Sequence, residues 1–295
     1  MQEYKDVINK VLKYGEQKGD RTGTGTISVS GAYFEHDMSK GFPLLTTKRM
    51  PFNLIASELE FFIKGITDKQ WLLDRNNHIW DEWCSPDKVS YGHDKETKEK
   101  MMVERDLGPI YGFQWRHFDA EYNGYDKDYT GQGIDQLEDV VKTLKTNPHD
   151  RRMIVDAWNP KQKQRMALPP CHYGFQVLAN KNNNTLDLLW RQRSVDTILG
   201  LPFNIASYGL LLHLLAKESG FKEGKLIGFL ADVHIYNNHL EGEFMEKINK
   251  QLSRELKPLP GIETENFNSI FDWNFGQSKV VGYESHPGLK FPIAV

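Results

Sequence analysis

Residues 185–220 have the sequence TLDLLWRQRSVDTILGLPFNIASYGLLLHLLAKESG, in which two contrasting patterns follow each other. It opens with TLDLLWRQRS, which has the composition of a strand. It closes with NIASYGLLLHLLAKESG, which is too apolar for a helix with one face in water. We therefore predict a strand that leads into a helix at the centre of the protein.

The segments around this stretch alternate between helical and extended patterns. On the N-terminal side of 185–194, YGFQVLAN joins it through KNNN, a hairpin-like turn. The other predicted strands are DRTGTGTISVSGAYFEHD (20–37), RRMIVDAWN (151–159) and KLIGFLADVHIYNNH (225–239), and the other predicted helices are 2–16, 51–65, 133–147 and a polar one that ends near 254. Without a regular strand–helix alternation, the pattern predicts an α+β fold around a largely antiparallel or mixed sheet.

Composition excludes several classes of protein. The chain has 295 residues, of which 39% are hydrophobic, and a net charge of -3. Nucleic-acid and membrane-surface proteins are usually basic, so we expect neither partner. No apolar run resembles a signal core or a membrane span. Two cysteines make a poor disulfide framework, which favours a reducing, cytoplasmic location.

We predict one domain over 1–295 with a polar, lysine-rich surface excursion at 84–107 that has no core of its own.

Cys171 lies in LPPCHYGF, beside a histidine. If this segment enters a strand, Cys171 and His172 point to opposite faces, so His172 cannot activate the thiol. A reactive thiolate would then need another activator, such as an arginine. The alternative is a buried structural thiol, the commoner fate of a lone cysteine.

Glu58 shares the apolar face of its predicted helix with Ile55, Leu59 and Phe62. A carboxylate there is either paired with a cation or desolvated, and desolvation raises the pKa toward values suited to proton transfer. Both interpretations remain open from sequence.

Several arginines stand at the ends of predicted elements. Arg21, Arg151, Arg152 and Arg193, with the hydroxyl of Ser194, would clamp a dianionic phosphate if they converged. Singly, each is an ordinary surface charge.

Two further groups have open interpretations. Trp80 and Trp83 are core residues or a platform for a planar heterocycle. His234 and Tyr236 share one strand face and suit a sugar hydroxyl, whereas a metal at His234 and His239 lacks a third ligand. No second thiol lies near Cys171, so we predict no metal.

Nine segments in order resemble the folate-dependent thymidylate synthases. They are DRTGTGT (20–26), GFPLLTTKR (41–49), IWDEW (79–83), GPIYGFQWR (108–116), RRMIVDAWN (151–159), MALPPCH (166–172), QRSVDTILGLPFNIASY (192–208), DVHIYNNH (232–239) and PIAV (292–295). The resemblance covers nearly the whole chain. It implies an α+β fold with a twisted mixed sheet flanked by helices, and a homodimer whose sheets pack on each other.

The resemblance also implies a chemistry. Cys171 would attack C6 of dUMP, so that C5 can attack the methylene of 5,10-methylenetetrahydrofolate. Arg193 would lower the pKa of the thiol and bind phosphate, and Asn204 would read the uracil amide edge. Glu58 would relay protons, Tyr111 would assist removal of the C5 proton, and His172 belongs to the catalytic set.

The remaining implied contacts form two sets. For dUMP they are Arg21, Gln192, Ser194, Asp196, His234, Tyr236 and, from the partner subunit, Arg151 and Arg152. For the folate they are Lys48, Ile79, Trp80, Trp83, Leu168, Asp196, Leu199, Gly200, Phe203, Ala294 and Val295. The end of the chain would close over the site and exclude water.

Three functions follow as hypotheses. The first is thymidylate synthesis from dUMP, with the folate giving both carbon and hydride. The second is a dUMP hydroxymethylase of the same superfamily, which would form 5-hydroxymethyl-dUMP and tetrahydrofolate. The third is a silent binding protein, which the presence of Cys171, Glu58, Arg193 and Asn204 disfavours.

Overall fold

The computed structural model describes residues 1–20 and 22–293. Its helices are α1 Gln2–Tyr14, α2 Phe52–Ile63, α3 Gln70–Leu73, α4 Lys95–Val103, α5 Tyr111–His117, α6 Gln136–Thr146, α7 Gly200–Ser219 and α8 Gly242–Ser253. Its strands are β1 Glu16–Lys18, β2 Thr26–Asp37, β3 Ile154–Asp156, β4 His172–Asn180, β5 Thr185–Asp196, β6 Lys222–Tyr236, β7 Gly261–Thr264 and β8 Ser278–Val281.

Six strands form one mixed sheet in the order β1-β2-β6-β5-β4-β3. Strands β5 and β6 are parallel, and the other neighbours are antiparallel. A parallel pair needs a crossover, and α7 supplies it. The predicted α+β class with a mixed sheet and flanking helices is confirmed.

Helix α7 is central, as its apolar sequence predicts. Most of its residues are buried, including an unbroken run from Ile205 to Ala216. The helix ends at Gly220, whose φ of 76° is the left-handed conformation that a glycine adopts without strain. The burial of this run holds α7 against β5 and β6.

Topology brings the ends of four strands to one edge of the sheet. The carboxyl ends of parallel β5 and β6 lie together, at Asp196 and Tyr236. Because β4 and β2 run antiparallel to these strands, their first residues, His172 and Thr26, reach the same edge. The loops before β2 and β4 therefore lie at the same end of the sheet as Asp196, which precedes α7.

The sheet face turned away from α7 is partly apolar and exposed. Tyr33 and Phe229 are opposite each other in register and remain 55% and 48% exposed. Their rings contact edge to face, with centroids 5.8 Å apart. Next to them, Leu189 and Ile227 are half-buried neighbours on β5 and β6. These four side chains form an apolar patch beside the Lys225–Glu35 ion pair.

Some elements differ from the sequence-based prediction. Residues 16–18 form a short edge strand whose three residues are all exposed, so no buried pattern announces it. The segment 84–107 contains α4, with Met101 buried while most of residues 86–100 are exposed or half-buried. Both cysteines are free. No helix in the described residues combines the length and apolarity needed to cross a membrane.

Candidate active site

Cys171 stands at the point where the chain enters β4, against the end of β5. Its carbonyl oxygen accepts from the backbone N–H of Arg193, at 2.8 Å. The Arg193 guanidinium donates to the carbonyls of Pro169 and Pro170, at 2.7 and 2.9 Å, and lies over the Trp158 ring. The arginine is thereby held beside the backbone that carries the thiol.

The hydroxyl of Tyr111 also reaches Cys171, since it accepts from the Cys171 backbone N–H at 2.8 Å. Tyr111 begins α5 and stacks on Phe62 of α2, with ring centroids 4.8 Å apart. This contact depends on Gly112, where a Cβ would lie only 2.3 Å from the Phe62 carbonyl oxygen. Burial raises the pKa of Tyr111 well above its ordinary value, so its hydroxyl stays protonated.

His172 is turned away from solvent, into the core. Its Nδ1 pairs with the Tyr208 hydroxyl of α7 at 3.0 Å, and its ring packs against Tyr111. Burial lowers the pKa of His172 to about 3. The imidazole is therefore neutral at ordinary pH, and it forms its hydrogen bond with a tyrosine hydroxyl rather than with a charged group.

Glu58 has an indole as its partner. Trp80 Nε1 donates to Glu58 Oε1 at 2.8 Å. Burial raises the pKa of Glu58 from 4.5 to about 7, and the hydrogen bond from Trp80 offsets only part of that rise. Of the two interpretations open from sequence, desolvation describes this carboxyl. Proton exchange near neutral pH is therefore available to it.

Glu60, the neighbouring acid, is turned elsewhere. Its carboxylate pairs with Lys64 at 2.5 Å and accepts from the Phe275 backbone N–H at 2.9 Å. The side chain is almost fully buried in these contacts. Glu60 is thus a structural anion that ties α2 to the segment before β8.

Three side chains on β5 and α7 form a directional hydrogen-bond relay. Trp190 Nε1 donates to Gln192 Oε1 at 3.1 Å, and Gln192 Nε2 donates to Asn204 Oδ1 at 3.0 Å and to the Ser194 carbonyl. An indole N–H can only donate, so it decides which end of the Gln192 amide is oxygen. The Asn204 amide is fixed in turn, with its Nδ2 left to donate in another direction.

The ends of β5 and β6 bring the next group together. Ser194 and Asp196 are opposite Asp232 and His234 in the parallel register. The Asp196 carboxylate accepts from the Ile198 and Leu199 backbone N–H groups and so stands at the start of α7. The His234 and Tyr236 rings lie edge to face, with centroids 5.1 Å apart.

Apolar groups line the same region. Ile79 is 37% exposed, Trp80 is buried, and Trp83, Leu168, Leu199, Gly200 and Phe203 are each partly exposed. Lys48 is buried and donates to the Ile198 carbonyl at 2.7 Å, and burial lowers its pKa to about 8. The chain end also arrives here, since His239 Nε2 pairs with the Pro292 carbonyl at 2.7 Å.

Not every predicted residue lies in this cluster. Arg151 and Arg152 are exposed and precede β3, and the Arg151 carbonyl accepts from Gln176 of β4. Cys171 lies five residues before Gln176, which is about 16 Å along a strand. Arg21, Ala294 and Val295 lie outside the described residues. Asp20 does shape the loop before Gly25, because its carboxylate accepts from the Thr22 and Gly25 N–H groups.

Sequence reasoning missed four residues that hold residues of the site in place. Trp158 lies against the Arg193 guanidinium, and Trp190 donates to Gln192. Tyr208 pairs with His172, and Lys69 donates to a carbonyl of the Trp80–Trp83 loop. The period of β5 could have paired Trp190 with Gln192, since residues i and i+2 share a face. Within residues 1–20 and 22–293, no three His, Cys, Asp or Glu side chains are grouped to hold a metal.

At one edge of the sheet, then, a thiol, a carboxyl with a pKa near 7, a fixed amide and an apolar wall share a region. Such a region can form a covalent bond to a heterocycle, read its polar edge and move protons. The sequence model described as Thymidylate synthase matches residues 2–295. The chain therefore belongs to the thymidylate synthase family.

Proposed function

We propose that this protein is a thymidylate synthase, a methyltransferase that converts dUMP to dTMP with 5,10-methylenetetrahydrofolate as donor of the carbon and the hydride. The family binds dUMP and folate, and uses methylenetetrahydrofolate. The observation that carries the proposal is the Trp190–Gln192–Asn204 relay beside Cys171. It presents Oδ1 as an acceptor and Nδ2 as a donor, the pattern that complements N3–H and O4 of uracil.

The proposed reaction begins at Cys171. Its thiolate adds to C6 of dUMP, and the electron pair that arrives at C5 attacks the methylene carbon. Loss of the C5 proton and departure of tetrahydrofolate leave an exocyclic methylene. Hydride from that folate then reduces the methylene, the thiolate leaves C6, and the folate departs as dihydrofolate.

The roles of the surrounding groups follow from their contacts. Glu58 relays protons to O4 and to the folate nitrogens, because its pKa of about 7 allows both gain and loss of a proton. Tyr111 stays protonated and positions water for removal of the C5 proton. Arg193 favours the thiolate by its charge. His172 supports Tyr111 by ring packing.

The sugar and the phosphate bind at the strand ends. His234 and Tyr236 hold the 3′-hydroxyl, and Arg21, Arg193 and Ser194 hold the phosphate. Gln192 and Asp196 complete the nucleotide contacts. Arg151 and Arg152 join from the partner of a homodimer, because within one chain they precede β3 at the end remote from Cys171.

The folate residues fit a flat heterocycle. The pterin is anchored by Asp196, which two backbone N–H groups hold in place. Its rings lie against the apolar group of Ile79, Trp80, Trp83, Leu168, Leu199, Gly200 and Phe203. Lys48 would attract the glutamate tail by its charge, and its ammonium also donates to the Ile198 carbonyl. Ala294 and Val295 complete the closure against water.

Product identification tests this function against the hydroxymethylase. The protein is incubated with dUMP and methylenetetrahydrofolate, and both products are quantified. Synthase activity gives dihydrofolate mole for mole with dTMP, whereas 5-hydroxymethyl-dUMP with tetrahydrofolate contradicts it. Cys171→Ser is the control: it should still bind dUMP but lose turnover by several orders of magnitude, since a serine hydroxyl without a base is a weak nucleophile.

A further inference from the structure

Lys69 is a buried lysine whose three ammonium hydrogens all go to backbone carbonyls. The residue is 1% exposed. Its Nζ donates to Asp81 at 2.8 Å, to Met101 at 2.9 Å and to Trp83 at 3.0 Å. A buried ammonium is costly unless its donors are satisfied, and an arrangement that uses all three is strongly specified.

The three carbonyls belong to two separate segments. Asp81 and Trp83 lie in the loop that carries Trp80, whose indole holds Glu58. Met101 lies in the last turn of α4, where carbonyls have no partner within the helix and favour a positive charge. Lys69 therefore ties the Trp80–Trp83 loop to α4.

Other contacts fasten the segment 84–107 at its ends. The Ser85 N–H donates to the Asp106 carbonyl at 2.7 Å, and the Lys69 N–H donates to the Arg105 carbonyl at 2.9 Å. In the middle, Tyr91 stacks on Trp83 with rings nearly parallel, at an interplanar angle of 6° and a centroid distance of 5.9 Å. The segment thus packs against one face of the Trp83 ring.

We propose that residues 84–107 are the supporting wall of the folate site, and that Lys69 and Tyr91 are the positioning residues that hold Trp80 and Trp83 in it. The inference rests on the proposed function for the identity of the ligand. It gives the segment a role in folate binding rather than in nucleotide binding. The Glu58 carboxyl is held through the same loop.

Lys69→Met tests the inference, with Lys5→Met as its matched control. Lys5 is also buried and donates to two backbone carbonyls, Leu252 and Arg254, but it joins α1 to the end of α8. Both variants should lower the melting temperature. Only Lys69→Met should raise the KM for methylenetetrahydrofolate, by about tenfold or more, because small displacements of positioning groups have effects of that size.

The KM for dUMP should stay within about twofold in both variants. An unchanged folate KM in Lys69→Met, or an equal rise in Lys5→Met, overturns the inference. If Lys69→Met does not fold, Tyr91→Ala decides, since it removes the stack on Trp83 at a side chain that is 38% exposed. Its folate KM should rise severalfold, whereas Tyr14→Ala on α1 should leave that KM unchanged; no rise in Tyr91→Ala contradicts the proposal.

A binding measurement separates this inference from the function itself. Tryptophan fluorescence of the wild type and variants is titrated with tetrahydrofolate at saturating dUMP. If the wild type makes no dTMP, the proposed function fails, and the titration still compares the folate sites. If the wild type makes dTMP and Lys69→Met binds tetrahydrofolate as tightly, only the positioning role fails.

Discussion

The pKa of Glu58 is determined by two opposing effects, burial of its carboxyl and the hydrogen bond from the Trp80 indole. Burial penalises the carboxylate, and the single N–H from Trp80 does not compensate for it. The group therefore titrates near pH 7. A cation in the place of Trp80 would have held the carboxyl ionised and unable to donate.

Glu58→Gln should abolish the fall of kcat/KM at high pH. In the wild type, kcat/KM should fall above about pH 7, because the protonated carboxyl that donates to O4 is lost. In Glu58→Gln this limb should be absent and kcat should be lower by about 10²- to 10⁴-fold. Steady-state rates from pH 5 to 9 check this; a falling limb near pH 7 in the variant would assign it to another group.

The same substitution has a stability signature. A carboxyl whose pKa is raised by folding holds its proton more tightly in the folded state, so stability falls as pH rises from 4.5 to about 7. The glutamine has no such penalty and can still accept from Trp80. Urea unfolding at pH 8 should therefore favour Glu58→Gln by roughly 1–3 kcal/mol, and the difference should vanish near pH 4.

Trp190 is predicted to act on base selection without touching the base. Trp190→Phe keeps an aromatic ring next to Tyr208 and Phe34 but removes one of the two contacts that orient Gln192, leaving only the Ser194 carbonyl. The Asn204 amide is then less firmly oriented, so kcat/KM for dUMP should fall by about tenfold relative to dCMP. Competition between the two nucleotides measures this ratio.

Trp273→Phe is the matched control for Trp190→Phe. Trp273 is equally buried and its indole donates to Ser278, away from the strand ends. It should lower stability and leave the nucleotide ratio unchanged. Asn204→Asp should shift the ratio further toward dCMP, and it serves as the positive control for the assay. If Trp190→Phe gives the same nucleotide ratio as Trp273→Phe, the relay does not orient the Asn204 amide.

At the scale of elements, a second polar network fastens the β7–β8 hairpin to the core. His213 of α7 pairs with Glu223 at 2.5 Å and with Thr264 at 3.0 Å, and Thr264 pairs with Ser278. The hydrogen-bonded order of carboxylate, imidazole and hydroxyl is typical of a nucleophile triad. Its hydroxyls are buried, however, and are shared with each other and with Trp273, so the network is structural.

His213→Leu should weaken the fold while the site stays intact. Loss of both hydrogen bonds should reduce the unfolding free energy by about 2–3 kcal/mol. His213 lies thirteen residues into α7, about 20 Å from its first turn, so the dUMP dissociation constant should not change. Urea unfolding measures the loss of stability, and dUMP titration measures the dissociation constant. A loss of dUMP affinity together with the loss of stability would contradict the prediction.

This prediction also has a pH dependence of known sign. The hydrogen bond from His213 lowers the pKa of Glu223 below 4.5. A lowered folded-state pKa contributes stability above the ordinary value, and that contribution is lost as the carboxylate protonates. The stability difference between wild type and His213→Leu should therefore shrink as pH falls below about 4.5.

Elements were predictable from sequence where burial is periodic. Helices α1, α2, α6 and α7 and the β4–β5 hairpin follow from their apolar spacing. Helix α5 escaped because YGFQWRH has only seven residues, too few to show a clear apolar period. Its burial comes from packing against α2 and β4, through the contacts of Tyr111 and Trp115 with Phe62 and of Trp115 with Phe175. β1 escaped because an exposed edge strand has no buried face.

Some features of the candidate site were also predictable from the sequence, and others depend on contacts that the sequence does not reveal. Cys171, Glu58 and Asn204 carry chemistry that their residue types suggest, and the motifs around them carry a family resemblance. The Lys69 clamp could not be predicted, because its acceptors are backbone carbonyls that any sequence has. The orientation of Asn204 could not either, since it depends on an indole two strand positions from Gln192.

At the scale of the whole molecule, two observations favour a second copy of the chain. One sheet face exposes Tyr33 and Phe229 in an apolar region, which a second sheet could cover. Arg151 and Arg152 are exposed beyond β3, away from the strand ends where Ser194 and Arg193 lie. A sheet-to-sheet homodimer would satisfy both observations at once, by covering the face and by presenting each pair of arginines to the partner.

Complementation between two inactive variants tests this arrangement. One variant carries Cys171→Ser, and the other carries both Arg151→Ala and Arg152→Ala. Each alone should have little activity, because its two sites lack either the nucleophile or the arginines. In a mixed dimer, one site combines an intact Cys171 with intact arginines from the other chain, and the second site lacks both.

Random exchange makes half of the dimers mixed, and each mixed dimer has one of its two sites restored. Activity should therefore recover to about a quarter of that of the wild type when equal amounts are unfolded and refolded together. Mixing without refolding is the control for slow exchange, and sedimentation checks that dimers form. If the arginines served their own chain's site, every mixed dimer would contain only defective sites and no activity would return, which would place Arg151 and Arg152 outside the shared phosphate clamp.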